Sequence, residues 1–163
     1  MSFEPRRRGV CGGRQTDNQE AIEREIAMEM KGFDLVKPKE VCDYGGLDEQ
    51  YAEQHFKGKD RNEIDYSDES LLEDLMWMNH AAFKYYLPGF LLESVKDDYG
   101  DLTSAILMAI TSQLSGPETK RIRFTKQQAQ TIELWFNAIP ERFGSDDLWQ
   151  FMPRIEKCTS RLW

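Results

Sequence analysis

Histidine is scarce in this sequence, with His55 and His80 the only two. A metal centre needs several converging ligands. Cys42, Asp43, His55 and His80 are the candidates, and no pair of them stands at a recognised ligand spacing. HExxH, HxH and CxxC are all absent. Neither a metal nor a cofactor is therefore expected. Cysteine is sparse too: Cys11, Cys42 and Cys158 are an odd number, widely spread. That is a poor disulfide framework and fits reduced thiols in a reducing compartment. No apolar run approaches the roughly 20 residues that would span a bilayer. The opening MSFEPRRRGVCGGRQ is basic but has no apolar core, so no secretory signal is read there and the cytoplasm is the expected location.

Catalytic signatures are missing as well. There is no GxSxG elbow for a nucleophilic serine and no cysteine in a catalytic context. Phosphate-cradling loops of the GxxxxGK[ST] or GxGxxG type are absent, and the pairs Gly12-Gly13 and Gly45-Gly46 read as hinges or turns. Carboxylates are so abundant that no pair of them stands out as an acid and a base. Acid–base chemistry needs one carboxyl lifted by an apolar pocket, whereas the densest clusters fall at helix ends, where capping explains them. A non-enzymatic protein is the expectation.

The chain is 163 residues long, the size of one domain, with 40% hydrophobic residues and 31% charged. Aromatics at 12% supply bulky core material that a disordered chain would lack. The net charge of -8 is unevenly spread. Residues 1–15 carry four Arg and one Glu, residues 16–101 carry nine Lys/Arg against 22 Asp/Glu, and residues 102–163 carry eight against six. So acidic a stretch repels phosphate backbones, which disfavours nucleic acid as a partner. It would steer a basic protein at long range.

Residues 1–15 read as a flexible basic tail and 16–163 as one helical domain. A first helix is expected over about 17–31, opened by Asp17 with Glu20 and closed by Gly32, with Ile22, Ile26 and Met30 as a thin apolar stripe. After a loop over 33–46, a short helix at about 47–57 presents Tyr51, His55 and Phe56 on one side, and Gly58 closes it. Ser67 is read as the cap of a helix through Leu71, Leu72, Leu75 and Met76, and Asn79 as the cap of the next. Pro88 is expected in the first turn of a separate segment, GFLLESV. From 75 to 92 apolar residues lie on nearly all faces, which marks the buried centre. Leu102, Ile106, Ala109 and Ile110 share a face of the following helix, which Ser115-Gly116-Pro117 ends. Thr125 with Gln128 forms a capping box before Ala129, Ile132, Trp135 and Phe136. Pro140 is expected to end that helix, and Pro153 to split the last stretch, which Ser145 opens. No window alternates with period 2 and no repeat is visible. The pattern implies an all-α, irregular single-domain array of about six to eight helices with short loops.

Two acidic clusters are candidate partner contacts: Asp65 with Asp68 and Glu69, and Asp97 with Asp98. With small size, acidity and no catalytic groups, they point to a protein-binding inhibitor. Its most concrete form is a bacterial immunity protein that neutralises a cognate toxin or effector through a basic domain. The alternative is a non-catalytic adaptor or structural homo-oligomer, such as a homodimer through an exposed apolar helix. No membrane partner is expected.

The stretch AAFKYYLPGFLLESV, followed later by RFTKQQAQTIELWF, resembles a family of small uncharacterised bacterial helical proteins. Ala82, Phe83, Tyr85, Tyr86, Leu87, Pro88, Phe90 and Leu91 fit its A-F-x-Y-Y-L-P-x-F-L signature, and Thr125, Gln128 and Ile132 fit its second motif. The likeness covers about 50–163. These motifs are apolar and structural, so the resemblance implies a helical fold and carries over no activity. The likeness to immunity proteins is one of type.

Overall fold

The computed structural model of the chain describes residues 13–33, 35–96, 100–142 and 152–163. Six α-helices are described: α1 Gly13–Glu29, α2 Leu47–Phe56, α3 His80–Ser94, α4 Asp101–Gln113, α5 Lys126–Arg142 and α6 Met152–Leu162. Five 3₁₀ turns link or extend them, at Met30–Phe33, Arg61–Glu63, Glu69–Leu71, Asp74–Met76 and Glu118–Lys120. Among the described residues there is no strand, so the fold is all-α. No helix among them is long and apolar enough to cross a membrane.

α3 is the hub. Asn79 starts it as expected, its Oδ1 accepting the Ala82 N–H at 2.9 Å. Ala82, Phe83, Tyr85, Tyr86, Leu87, Phe90 and Leu91 are all buried, so little of the helix is left for solvent. Two neighbours close on it through rings: Phe56 of α2 lies 4.8 Å from Tyr86, and Tyr66 meets Phe90 edge-on at 4.8 Å. The expected break at Pro88 does not occur, because α3 runs unbroken from His80 to Ser94. An interior proline costs about 3 kcal/mol in an isolated helix. Burial of apolar side chains on both sides of Pro88 offsets that cost here. Gly89, next to it, is where the Tyr66 ring enters, in space a Cβ would fill.

The other helices pack around this hub. α1 lies on α5 and α3, and α4 lies between α3 and α6. Ile26 of α1 is fully buried and Ile22 packs beside the core. α1 opens at Gly13, and Asp17 sits inside it and not at its start. Gly32 does not close α1 with a left-handed turn; it belongs to the 3₁₀ extension and comes against the Gln127 side chain. The Thr125–Gln128 capping box forms as expected: Thr125 N–H donates to Gln128 Oε1 at 3.0 Å, and Gln128 N–H donates to Thr125 Oγ1 at 3.2 Å. Gln128 also donates from Nε2 to the Gly32 carbonyl at 3.1 Å, which fastens α1 to the start of α5. Trp135, 1% exposed, donates from its indole to Ser94 Oγ at 2.8 Å and so ties α5 to the end of α3.

Three further expectations are corrected. Residues 67–76 form two 3₁₀ turns and not one helix, and the cap is Asp68, not Ser67. α5 continues through Pro140 to Arg142. Pro153 lies in the first turn of α6, where its missing N–H costs nothing. Ser145, Leu148 and Trp149 lie outside the described residues, as does Cys11.

Candidate functional site

Residues 40–77 hold twelve Asp/Glu against three Lys/Arg. Nine of these carboxylates lie on the 41–46 loop, α2 and the 65–77 segment, and α2 and the segment meet where Asp48, Glu73 and Asp74 line one cleft. Glu53 of α2 pins the loop, its Oε1 accepting the Val41 N–H at 2.8 Å and the Cys42 N–H at 2.9 Å. These hydrogen bonds and Lys57 hold the Glu53 carboxyl below its usual range against the opposing effect of burial. Lys57 is itself engaged, 2.6 Å from Glu40 and 3.5 Å from Glu53. The Cys42 thiol feels the accumulated negative charge. Burial first, then Glu53, Glu49, Asp74 and Asp43, push its pKa up to about 11.

The 65–77 segment is shaped by its own acids. Asp65 Oδ1 accepts from Ser67 Oγ at 2.6 Å and from Ser67 N–H at 3.1 Å, which turns the chain. Asp68 Oδ1 accepts the Ser70 N–H at 2.9 Å and caps the Glu69–Leu71 turn. The hydrogen bonds from Ser70 hold the exposed Asp68 carboxyl below the usual carboxylate range.

Asp68 and Glu69 border a cleft of about 150 Å³ together with Tyr66, Glu93, Lys96 and Asp101. Asp65, Asp68 and Glu69 therefore stand exposed on one segment, and two of them meet the end of α3 and the start of α4. Asp97 and Asp98 lie outside the described residues; their described neighbours Lys96 and Asp101 line the same cleft.

On its other side the segment meets α2. Asp48, Tyr51 and His55 share a face of that helix, and with Ser70, Glu73, Asp74 and Trp77 they line a second cleft of about 240 Å³. At its floor a half-buried His55 meets a buried carboxylate: His55 Nδ1 lies 2.6 Å from Oδ2 of Asp74, a residue 4% exposed. Burial raises the Asp74 carboxyl above its usual range, although His55 works against it. At the rim Trp77 is 41% exposed and Tyr51 52% exposed, each beside carboxylates.

The spacing sets Tyr51, His55 and Phe56 on one side of α2; Phe56 is buried with Ala52, whereas Tyr51 and His55 face the cleft. Trp77 falls in the apolar 75–92 run and Asp74 carries no sequence signal of its own. Only the Asp48–Tyr51–His55 spacing, which sets the three on one helical face, signalled this cleft. His80 is exposed at the start of α3, and the Tyr85 and Tyr86 hydroxyls bond within 56–60. Among the described residues, no group of three or more His, Cys, Asp and Glu is arranged to hold a metal ion.

The chain matches the model of a family of unknown function, DUF6714, over residues 17–160 and belongs to that family. The match begins within α1. No curated protein and no solved structure matches the chain.

Proposed function

We propose that this chain acts by binding a basic protein partner through the face made by α2 and the 65–77 segment. The observation that carries the reading is the exposure of Trp77 and Tyr51 beside Asp48 and Glu73, with Asp68 and Glu69 on the adjoining rim. Tryptophan and tyrosine are the side chains that most often anchor interfaces, because each buries a large rigid surface on contact. The surrounding carboxylates would speed the encounter and choose a partner of opposite charge. In its finer form the reading makes the chain a bacterial immunity protein, working in the cytoplasm, that caps a cognate toxin or effector domain. No step of it requires a cofactor or catalysis by this chain.

The test is co-expression with the product of a neighbouring gene encoding a secreted protein with a basic C-terminal domain, followed by co-purification at low and high salt. Complex formation, weakened by Trp77→Ala and by the charge reversals Asp68→Lys and Glu69→Lys, supports the reading. A basic domain that is never retained, even at low salt, overturns its finer form. Retention indifferent to all three variants overturns the assignment of the face.

The second reading, a structural homo-oligomer, draws on the exposed apolar side chains Val36, Tyr44 and Leu47. Light scattering of the pure chain separates the two, since a dimer whose state ignores ionic strength favours the second.

A further inference from the structure

We propose that a basic cleft between the 114–124 connector and the end of α6 binds a small phosphorylated ligand carrying an aromatic ring, of the nucleotide class. The cleft has a volume of about 380 Å³, and Arg121, Arg123, Phe124, Arg161 and Trp163 line it with one acidic side chain, Glu118. Ligand sites start at about 300 Å³, so a mononucleotide fits the scale. The cleft shares no lining residue with the acidic clefts.

Three observations carry the assignment. First, two guanidiniums are anchored from one place. Arg121 Nε donates to the Gly116 carbonyl at 2.7 Å, and Arg161 Nη1 donates to the Leu114 carbonyl at 3.3 Å, both just past the end of α4. A guanidinium has five N–H donors. Each of these uses one, and the others have no partner among the described residues. Guanidiniums held this way are suited to a phosphate, which they can grip through paired N–H groups.

Second, the cationic side of the cleft is only weakly neutralised. Arg123 lies 4.0 Å from Glu118, and both are largely exposed, so this pair contributes little. Behind the wall, the Lys84 ammonium sits over the Phe124 ring at 5.8 Å, half-buried, with no carboxylate partner among the described residues. Burial alone pushes its pKa down, the mark of a cation short of counter-charge. Third, the Trp163 indole is 63% exposed at the cleft, a surface on which a base can stack.

Size follows from the charge map. A long polyanion would also meet the acidic face, whereas at physiological salt a mononucleotide senses charge over only about 8 Å. The local cluster of arginines then governs its binding despite the net charge of -8.

The experiment is calorimetric titration of the full chain at low salt with adenosine 5′-monophosphate, and in separate arms with inorganic phosphate and with adenosine. Saturable binding of the monophosphate is expected, with phosphate and adenosine each at least about tenfold weaker, since each presents half of the recognised chemistry. Arg123→Glu removes an exposed side chain with no burial to disturb the fold and should weaken the monophosphate by about tenfold or more. Trp163→Ala should weaken it too, while leaving phosphate unchanged. The proposal is overturned if the monophosphate shows no saturable binding, if phosphate binds as tightly as the monophosphate, or if both variants bind like the parent chain.

Discussion

Asp74 carries a carboxylate into the core boundary, 4% exposed, with His55 as its neighbour at 2.6 Å. Removing an ion from water costs more than one neighbouring group restores, which is why burial dominates and lifts its pKa above the ordinary 3.8. The folded chain therefore holds this proton more tightly than the unfolded chain does. Its contribution to stability is largest below 3.8 and is lost as pH rises through the folded pKa. Asp74→Asn, of equal volume and no charge, should gain stability relative to the parent as pH climbs from the carboxylate range toward neutrality. Urea unfolding across pH measures this, and a gap that is flat, or a variant weaker at neutral pH, would sink the idea. Glu53 has the opposite sign: its lowered pKa adds stability above the usual carboxylate value, and that is lost on acidification. None of the Asp74 chemistry was legible beforehand. His55 was visible as a lone histidine, but its partner stands nineteen positions away, and no local spacing encodes that meeting.

At the scale of elements, the legible features were those decided within three or four residues. Asn79 reaches Ala82, and Thr125 reaches Gln128, and both caps were readable because helix starts depend on a side chain bonding a nearby N–H. Asn79→Ala should cost about 1 kcal/mol in urea or thermal unfolding. It should also loosen the 40–41 loop, since Asn79 Nδ2 donates to the Glu40 carbonyl at 2.9 Å. A variant as stable as the parent would mean the cap is idle. What the sequence hid were elements settled by tertiary contact. Pro88 looked like a stop and is an interior helical residue, because the buried side chains before and after it in α3 outweigh a local penalty. The 67–76 stretch looked helical by its leucines, but Asp65 and Asp68 draw its backbone into tight turns with their own oxygens. The acidic face was half legible for the same reason. Its carboxylates were countable, but its exposed Trp77 depends on how those turns present their side chains.

For the whole molecule, charge is segregated: twelve carboxylates against three cations over 40–77, and an arginine-lined cleft over 114–163. Net self-repulsion at -8 weakens the compact state. Added monovalent salt should therefore raise the urea midpoint of the free chain, and a midpoint that falls would show that attractive pairs such as Lys57–Glu40 outweigh the repulsion.

The bond from Gln128 to the Gly32 carbonyl spans 96 positions of chain. During synthesis at about 5–20 residues per second, α1 is made roughly 5–20 s before the residue that fastens it. Through that interval the buried flank of Ile26 has no α5 to cover it. The earliest described helix to be made is thus among the last to be locked, and a nascent chain of this protein is a better client for a chaperone than its finished form.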